Sequence, residues 1–227
     1  MREGRGREGL LISTLTVTAA GTDALSFLGL GQVFPANMTG NTVLLGLGAA
    51  TGDWPALSRS ATALGAYVLA AVALGAAVPD KPRPHHIRAA LLVEVGLLLA
   101  AAVWWNLLTG RPTGAPRYGL VALAATAMGM QSVIAARLRL PGVATTYITG
   151  TWTGLSMGIG ELLRRRGGGG RPDGQTARGL VVVAYPAAAF ATAAAYTAWH
   201  NLAALIPAAS VVLSALICRG CVGRSAG

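Results

Sequence analysis

An all-α, polytopic transmembrane helical bundle is the fold class this chain predicts, on three observations. Of its 227 residues, 53% are hydrophobic and only 11% charged, under half of the roughly 25% charged residues usual in soluble domains. The mean hydropathy is +0.56. Apolar stretches recur along the whole sequence, each near the ~20 residues a helix needs to cross a bilayer core. Basic residues gather in the short connections between those stretches, where they set orientation in a membrane.

Six long apolar segments are expected, at about 10–30, 56–78, 87–108, 117–137, 177–199 and 202–218, with two short broken or re-entrant helices at 37–51 and 145–163. The first segment follows the charged run Arg2–Glu8, and Val17-Thr18-Ala19-Ala20 resembles a leader cleavage site. Its apolar run continues past that point to include Asp23, so it is expected to be retained. The segment at 37–51 is entered at Pro35 and falls short of a full span by the usual length rule. Breakers separate the others: Gly52-Asp53-Trp54-Pro55, Pro79 to Pro84, Arg111 to Pro116, and Gly167 to Gly174. Pro186 and Pro207 are expected to kink the last two helices.

The order of elements repeats. A single membrane domain, 1–227, divides into repeat one (10–108) and repeat two (117–218), with a basic, Gly-rich cytoplasmic loop inserted at 164–174. Gly21-Thr22-Asp23 followed by Met38-Thr39-Gly40-Asn41-Thr42 in the first half answers to Gly129-Met130-Gln131 followed by Ile148-Thr149-Gly150-Thr151 in the second. Ala66-Tyr67 answers to Ala184-Tyr185. If the short helices dip in and return, six helices span; 15 Lys/Arg then lie on the N-terminal side and 3 on the other, namely Arg59, Arg111 and Arg117. Eight spans give 13 against 5. Either way both termini are cytoplasmic by the positive-inside rule, and six spans make the units an inverted repeat.

The stretch Phe27-Leu28-Gly29-Leu30, Val33-Phe34 and Met38 to Gly46 resembles the YoaK-like family of multi-pass bacterial membrane proteins (domain of unknown function 1275). So do Gly129-Met130-Gln131, Pro141-Gly142-Val143 and Thr145 to Thr151. The likeness covers roughly 10–218 and implies a multi-pass protein of the bacterial inner (plasma) membrane. It brings no catalytic or ligand residues, so site candidates rest on physical chemistry.

Asp23 and Glu94 are acids well inside long apolar segments. A carboxylate there costs about 2.5–3.5 kcal/mol on insertion scales, so such groups face a cavity or a partner. Either could carry a proton and couple it to transport, or serve as a hydrogen-bonded structural carboxyl. Thr39-Gly40-Asn41-Thr42 and Thr149-Gly150-Thr151 would open the two short helices. Helix starts meeting near the bilayer middle expose N–H groups and positive dipole to a solute. The plainer alternative is that Thr and Asn merely cap these helices. The expected substrate site is Asp23, Thr39, Asn41, Thr42, Gln131, Thr149 and Thr151, with Glu94 as a secondary candidate.

Other patterns carry less. Gly150, Gly154 and Gly158 form a smooth ridge suited to helix contact. Gly154-Leu155-Ser156-Met157-Gly158 matches G-x-S-x-G without the strand–turn–helix elbow that motif needs. Cys218 and Cys221 lack a second ligand pair for zinc. His85 and His86 read as a solvated connection, and Arg164-Arg165-Arg166 as an anchor to anionic headgroups. The net charge of +10 comes without a basic stripe interleaved with aromatics, so no nucleic-acid partner is expected. No cofactor motif occurs.

The leading expectation is a secondary transporter or channel for a small polar solute, an anionic one among the candidates. Its partners are the bilayer and the solute, with a homo-oligomer left open, and one half would rock against the other. The alternatives are an intramembrane serine hydrolase using Ser156 and His200, and a non-catalytic membrane scaffold.

Overall fold

The structure, a computed structural model, describes residues 2–138, 148–164 and 174–221, with side chains from residue 9 and up to 218. Among these residues it is entirely helical: α1 (Arg2–Gly29), α2 (Met38–Thr51), α3 (Trp54–Ala77), α4 (Pro84–Leu107), α5 (Gly114–Arg137), α6 (Ile148–Arg164), α7 (Gln175–Trp199), a 3-10 turn (His200–Ala204) and α8 (Leu205–Cys221). Five stretches are long and apolar enough to cross a membrane: Gly9–Gly29, Trp54–Ala77, Pro84–Leu107, Gly114–Arg137 and Gln175–Cys218. The last contains both α7 and α8, parted where His200 takes φ 49°.

Local chemistry sets the helix ends. Asn37 caps α2 by accepting the Gly40 N–H at 3.3 Å, and Gly52, at φ 73°, ends it. Asp53 caps α3 by accepting the Ala56 N–H at 3.0 Å, with Pro55 in the first turn, where no backbone donor is missed. Pro207 sits in the first turn of α8, so the kink expected there has no lost hydrogen bond to cause it. Pro186 does lie inside α7. Helix α1 extends to Arg2, well before the apolar run, and passes through Val17–Ala20 without interruption.

Packing partners are exchanged between the halves of the sequence. Helix α1 lies between α7 and α8, and α5 lies between α3 and α4. Ile12 clusters with Val181, and Gly29 abuts Tyr196, so α1 and α7 run parallel. Ser214 bonds Thr14, and Pro207 abuts Gly21, so α8 runs antiparallel to α1. Ser58 meets Tyr118 and Tyr67 bonds Ser132, which makes α3 parallel to α5. Trp104 covers Gly119, and Leu91 clusters with Ile134, which makes α4 antiparallel to α5. Leu25 clusters with Leu120 and Leu11 with Ile134, so α1 and α5 are antiparallel. Helices α1, α4 and α7 therefore point one way, and α3, α5 and α8 the other.

The short helices α2 and α6 are peripheral, packed on α3 and α7 respectively. Only Asn41 and Gly48 of α2, and Thr151 and Gly158 of α6, are buried. The polar residues of α1 are satisfied locally: the hydroxyls of Thr14, Thr16, Thr18 and Thr22 donate to carbonyls one turn back at 2.7–3.1 Å. Most of the expected loop at 164–174, and the motifs Pro141-Gly142-Val143 and Thr145 to Tyr147, lie outside the described residues.

Candidate functional site

After α1 ends at Gly29, the chain folds back along it. The Ala36 N–H donates to Asp23 Oδ1 at 2.7 Å, which returns residue 36 to the depth of residue 23. The step from Gly29 to Asp23 is about 9 Å along the helix. Tyr185 of α7 donates its hydroxyl to Oδ2 at 2.8 Å. Asp23, 5% exposed, thus holds the start of α2 against α1 and ties both to α7. A carboxylate is a suitable acceptor at a helix start, where N–H groups are unpaired and the dipole is positive.

A cavity of about 390 Å³ opens beside this carboxyl. Its polar wall is Asp23, Asn37 and Tyr185; Phe27, Phe34 and Phe190 supply aromatic faces, and Ile148, the first residue of α6, closes another side. The cap of α2 and the first residue of α6 therefore line one cavity, within the small-molecule range of roughly 300–1,000 Å³. Phe190, 76% exposed, places its outer side at the periphery of the bundle. Phe27 and Leu28 also line a second cleft nearer the end of α1.

Of the residues expected from sequence, Asp23 lines this cavity and the others do not. Thr39, Thr42 and Thr149 are exposed on the short helices. Thr42 donates its hydroxyl to the Met38 carbonyl at 2.9 Å. Asn41 is buried and turned to its own loop: Oδ1 accepts the Phe34 N–H at 3.0 Å and Nδ2 donates to the Phe34 carbonyl at 2.6 Å. Thr151 of α6 is buried with no hydrogen-bond partner among the described residues. Gln131 is buried in the α1–α5 crossing, where Nε2 donates to the Leu15 carbonyl at 3.0 Å. Glu94 is wholly buried on α4, and neither carboxyl oxygen has a hydrogen-bond partner among the described residues. Asn37 and Tyr185 were not among the expected site residues. The parallel between Ala66-Tyr67 and Ala184-Tyr185 was the available signal for Tyr185.

Ser156 and His200 do not meet. Gly154 and Gly158, either side of Ser156, pack on Arg178 and Gln175 at the start of α7. His200 follows the far end of that helix, roughly 35 Å away at 1.5 Å per residue.

Residues 11–218 match the family described as Protein of unknown function (DUF1275). The chain belongs to this family. It is also similar to the UPF0700 transmembrane protein YoaK of Bacillus subtilis (strain 168), with 34% identity over 149 residues. That match covers 64% of this chain and 64% of YoaK, a little under two thirds of the relative's length. No solved structure matches. The resemblance carried by Met38 to Gly46 and Gly129-Met130-Gln131 is thus borne out, and the chain is a membrane protein with several apolar helices.

Proposed function

We propose that this protein is a secondary transporter or channel for a small polar solute, with its site in the Asp23 cavity. One observation carries the reading: two interrupted helices start at the wall of a single cavity that also holds a buried carboxyl group. That is the arrangement by which discontinuous helices present backbone dipoles to a solute inside a bilayer. The α2 start is already engaged by Asp23, so an acceptor group on the solute would face the α6 start. Phe27, Phe34 and Phe190 would hold its apolar part. Asp23 would exchange a proton as solute enters, with Tyr185 as the neighbouring donor.

The same reading has two inverted repeats, 10–108 and 117–218, six spans, and both termini in the cytoplasm of a bacterial inner membrane. Alternating helix directions support it, because α1 and α3 point opposite ways with α2 between them. Corresponding residues support the repeat: Asn41 and Thr151 are both buried, as are Gly48 and Gly158. Tyr67 reaches Ser132 of the other half, and Tyr185 reaches Asp23. The exchanged packing changes the expected motion. The rigid groups would be α1 with α7 and α8, and α5 with α3 and α4, rather than the two sequence halves.

Two experiments test this. A cysteine at Gly52 labels from outside the cell if six helices span, and only from inside if eight do. A metabolite panel screened by thermal shift supplies candidate solutes for flux in proteoliposomes. Asp23→Asn should abolish that flux while the thermal transition survives; undiminished flux in folded Asp23→Asn rejects the site.

A further inference from the structure

The second cleft has a different chemistry. It encloses about 320 Å³ and is lined by Phe27, Leu28, Gly31, Gln32, Arg59, Arg111 and Arg117. No carboxylate lines it, and none of its arginines takes part in an ion pair among the described residues. These three are also the basic residues that the six-span charge count leaves on the non-cytoplasmic side. Fifteen others obey the positive-inside bias, and the three exceptions converge from α3, the α4–α5 connection and α5 onto one cleft.

The backbone is shaped to hold them. Gly31 at φ 95° and Gln32 at φ 62° turn the chain out of α1. Gln32 is in the left-handed region that non-glycine residues seldom occupy. A Cβ on residue 31 would stand 2.8 Å from Arg59 Nε, so the guanidinium packs directly on this glycine. Arg59 Nε is buried with no hydrogen-bond partner among the described residues. Arg117 Nε donates to the Pro112 carbonyl at 2.8 Å, which fixes that guanidinium across the connection. The carbonyl end of α1 carries partial negative charge that suits one nearby cation, not three. Guanidinium forks match the paired oxygens of a phosphate-type oxyanion.

We infer that this cleft is a binding site for a tetrahedral oxyanion of the phosphate type, supplied either as a free solute or as a lipid headgroup. It goes beyond the transport reading and stands without it, because binding here needs no flux through the Asp23 cavity.

The test uses the full chain in nanodiscs of phosphatidylcholine, titrated calorimetrically with inorganic phosphate against chloride at matched ionic strength. Phosphate should bind, sulfate should compete, and chloride should not. Arg111→Gln, an exposed position, should weaken binding at least about tenfold with an unchanged thermal transition, and Arg59→Lys should weaken it by removing the fork while keeping the charge. If phosphate does not bind, native mass spectrometry from phosphatidylglycerol nanodiscs decides the source. Lipid retained by wild type and released by Arg111→Gln assigns the headgroup. Absence of both ligands on wild type, or equal binding by folded Arg111→Gln and Arg117→Gln, overturns the site. Phosphate binding that persists in an Asp23→Asn protein without flux separates this site from the transport cavity.

Discussion

Gly129 gives the most exacting test of the exchanged packing. It lies where α5 crosses α3, and a Cβ there would fall inside contact distance of the Tyr67 carbonyl oxygen and 3.1 Å from that residue's carbonyl carbon. Both obstacles are backbone, so no side-chain rotation relieves them and the helices must part. Overpacking of this kind costs about 1–3 kcal/mol. At roughly 2–4 °C per kcal/mol for a chain of this size, Gly129→Ala should lower the melting temperature of detergent-purified protein by about 2–12 °C. Gly96→Ala is the control, since a Cβ on that residue meets nothing within 4 Å. It should be neutral or stabilise by up to about 1 kcal/mol through helix propensity. A second measurement locates the damage. The Tyr67 hydroxyl donates to Ser132 at 2.6 Å beside this crossing, so Tyr67→Phe should cost less in Gly129→Ala than alone, with a coupling of about 0.5 kcal/mol or more. Equal melting of the two glycine variants, or additive Tyr67→Phe effects, would refute the α3–α5 contact.

Three further outcomes follow from side-chain contacts in the fold. Asp23→Ala strips the acceptor from the Ala36 amide and the Tyr185 hydroxyl, and should cost about 2–4 kcal/mol; Asp23→Asn, which keeps one acceptor, should cost less. Hydrogen exchange at the Ala36 amide should quicken markedly in the alanine variant, and unchanged protection would disprove the tie. Asn41→Ala leaves both backbone groups of Phe34 unpaired and should destabilise by about 2 kcal/mol, read as faster exchange at Phe34. Asp80→Asn removes the ion pair with Arg137, but Asp80 is 85% exposed. Its effect on thermal stability should stay within about 1 kcal/mol.

The membrane elements were legible because their cause is local. A run of apolar residues broken by Gly and Pro places each helix within a few positions, as with 56–78 against the observed Trp54–Ala77. Where the first helix began was not legible, since Arg2 to Glu8 carries no apolar signal yet continues the same helix. The polar residue types pointed to the starts of α2 and α6, but type does not reveal direction. Asn41 spends its amide on Phe34, and Gln131 spends its Nε2 on Leu15, while Asn37 and Tyr185 face the cavity. Partner choice lay further out of reach: hydropathy gives α1 and α5 similar apolar faces and says nothing about which later helices cover them.

That partner choice has a consequence for how the protein is made. Helix α1 carries Thr14, Thr16, Thr18, Thr22 and Asp23, all buried in the finished molecule, and α7 and α8, which enclose it, are synthesised only after α2 to α6. Until α7 arrives, Asp23 has no Tyr185, and α3 and α4 must likewise wait for α5. Insertion and assembly are therefore separate stages, and a chain halted after α4 would present the polar residues of α1 to lipid or to the insertion machinery.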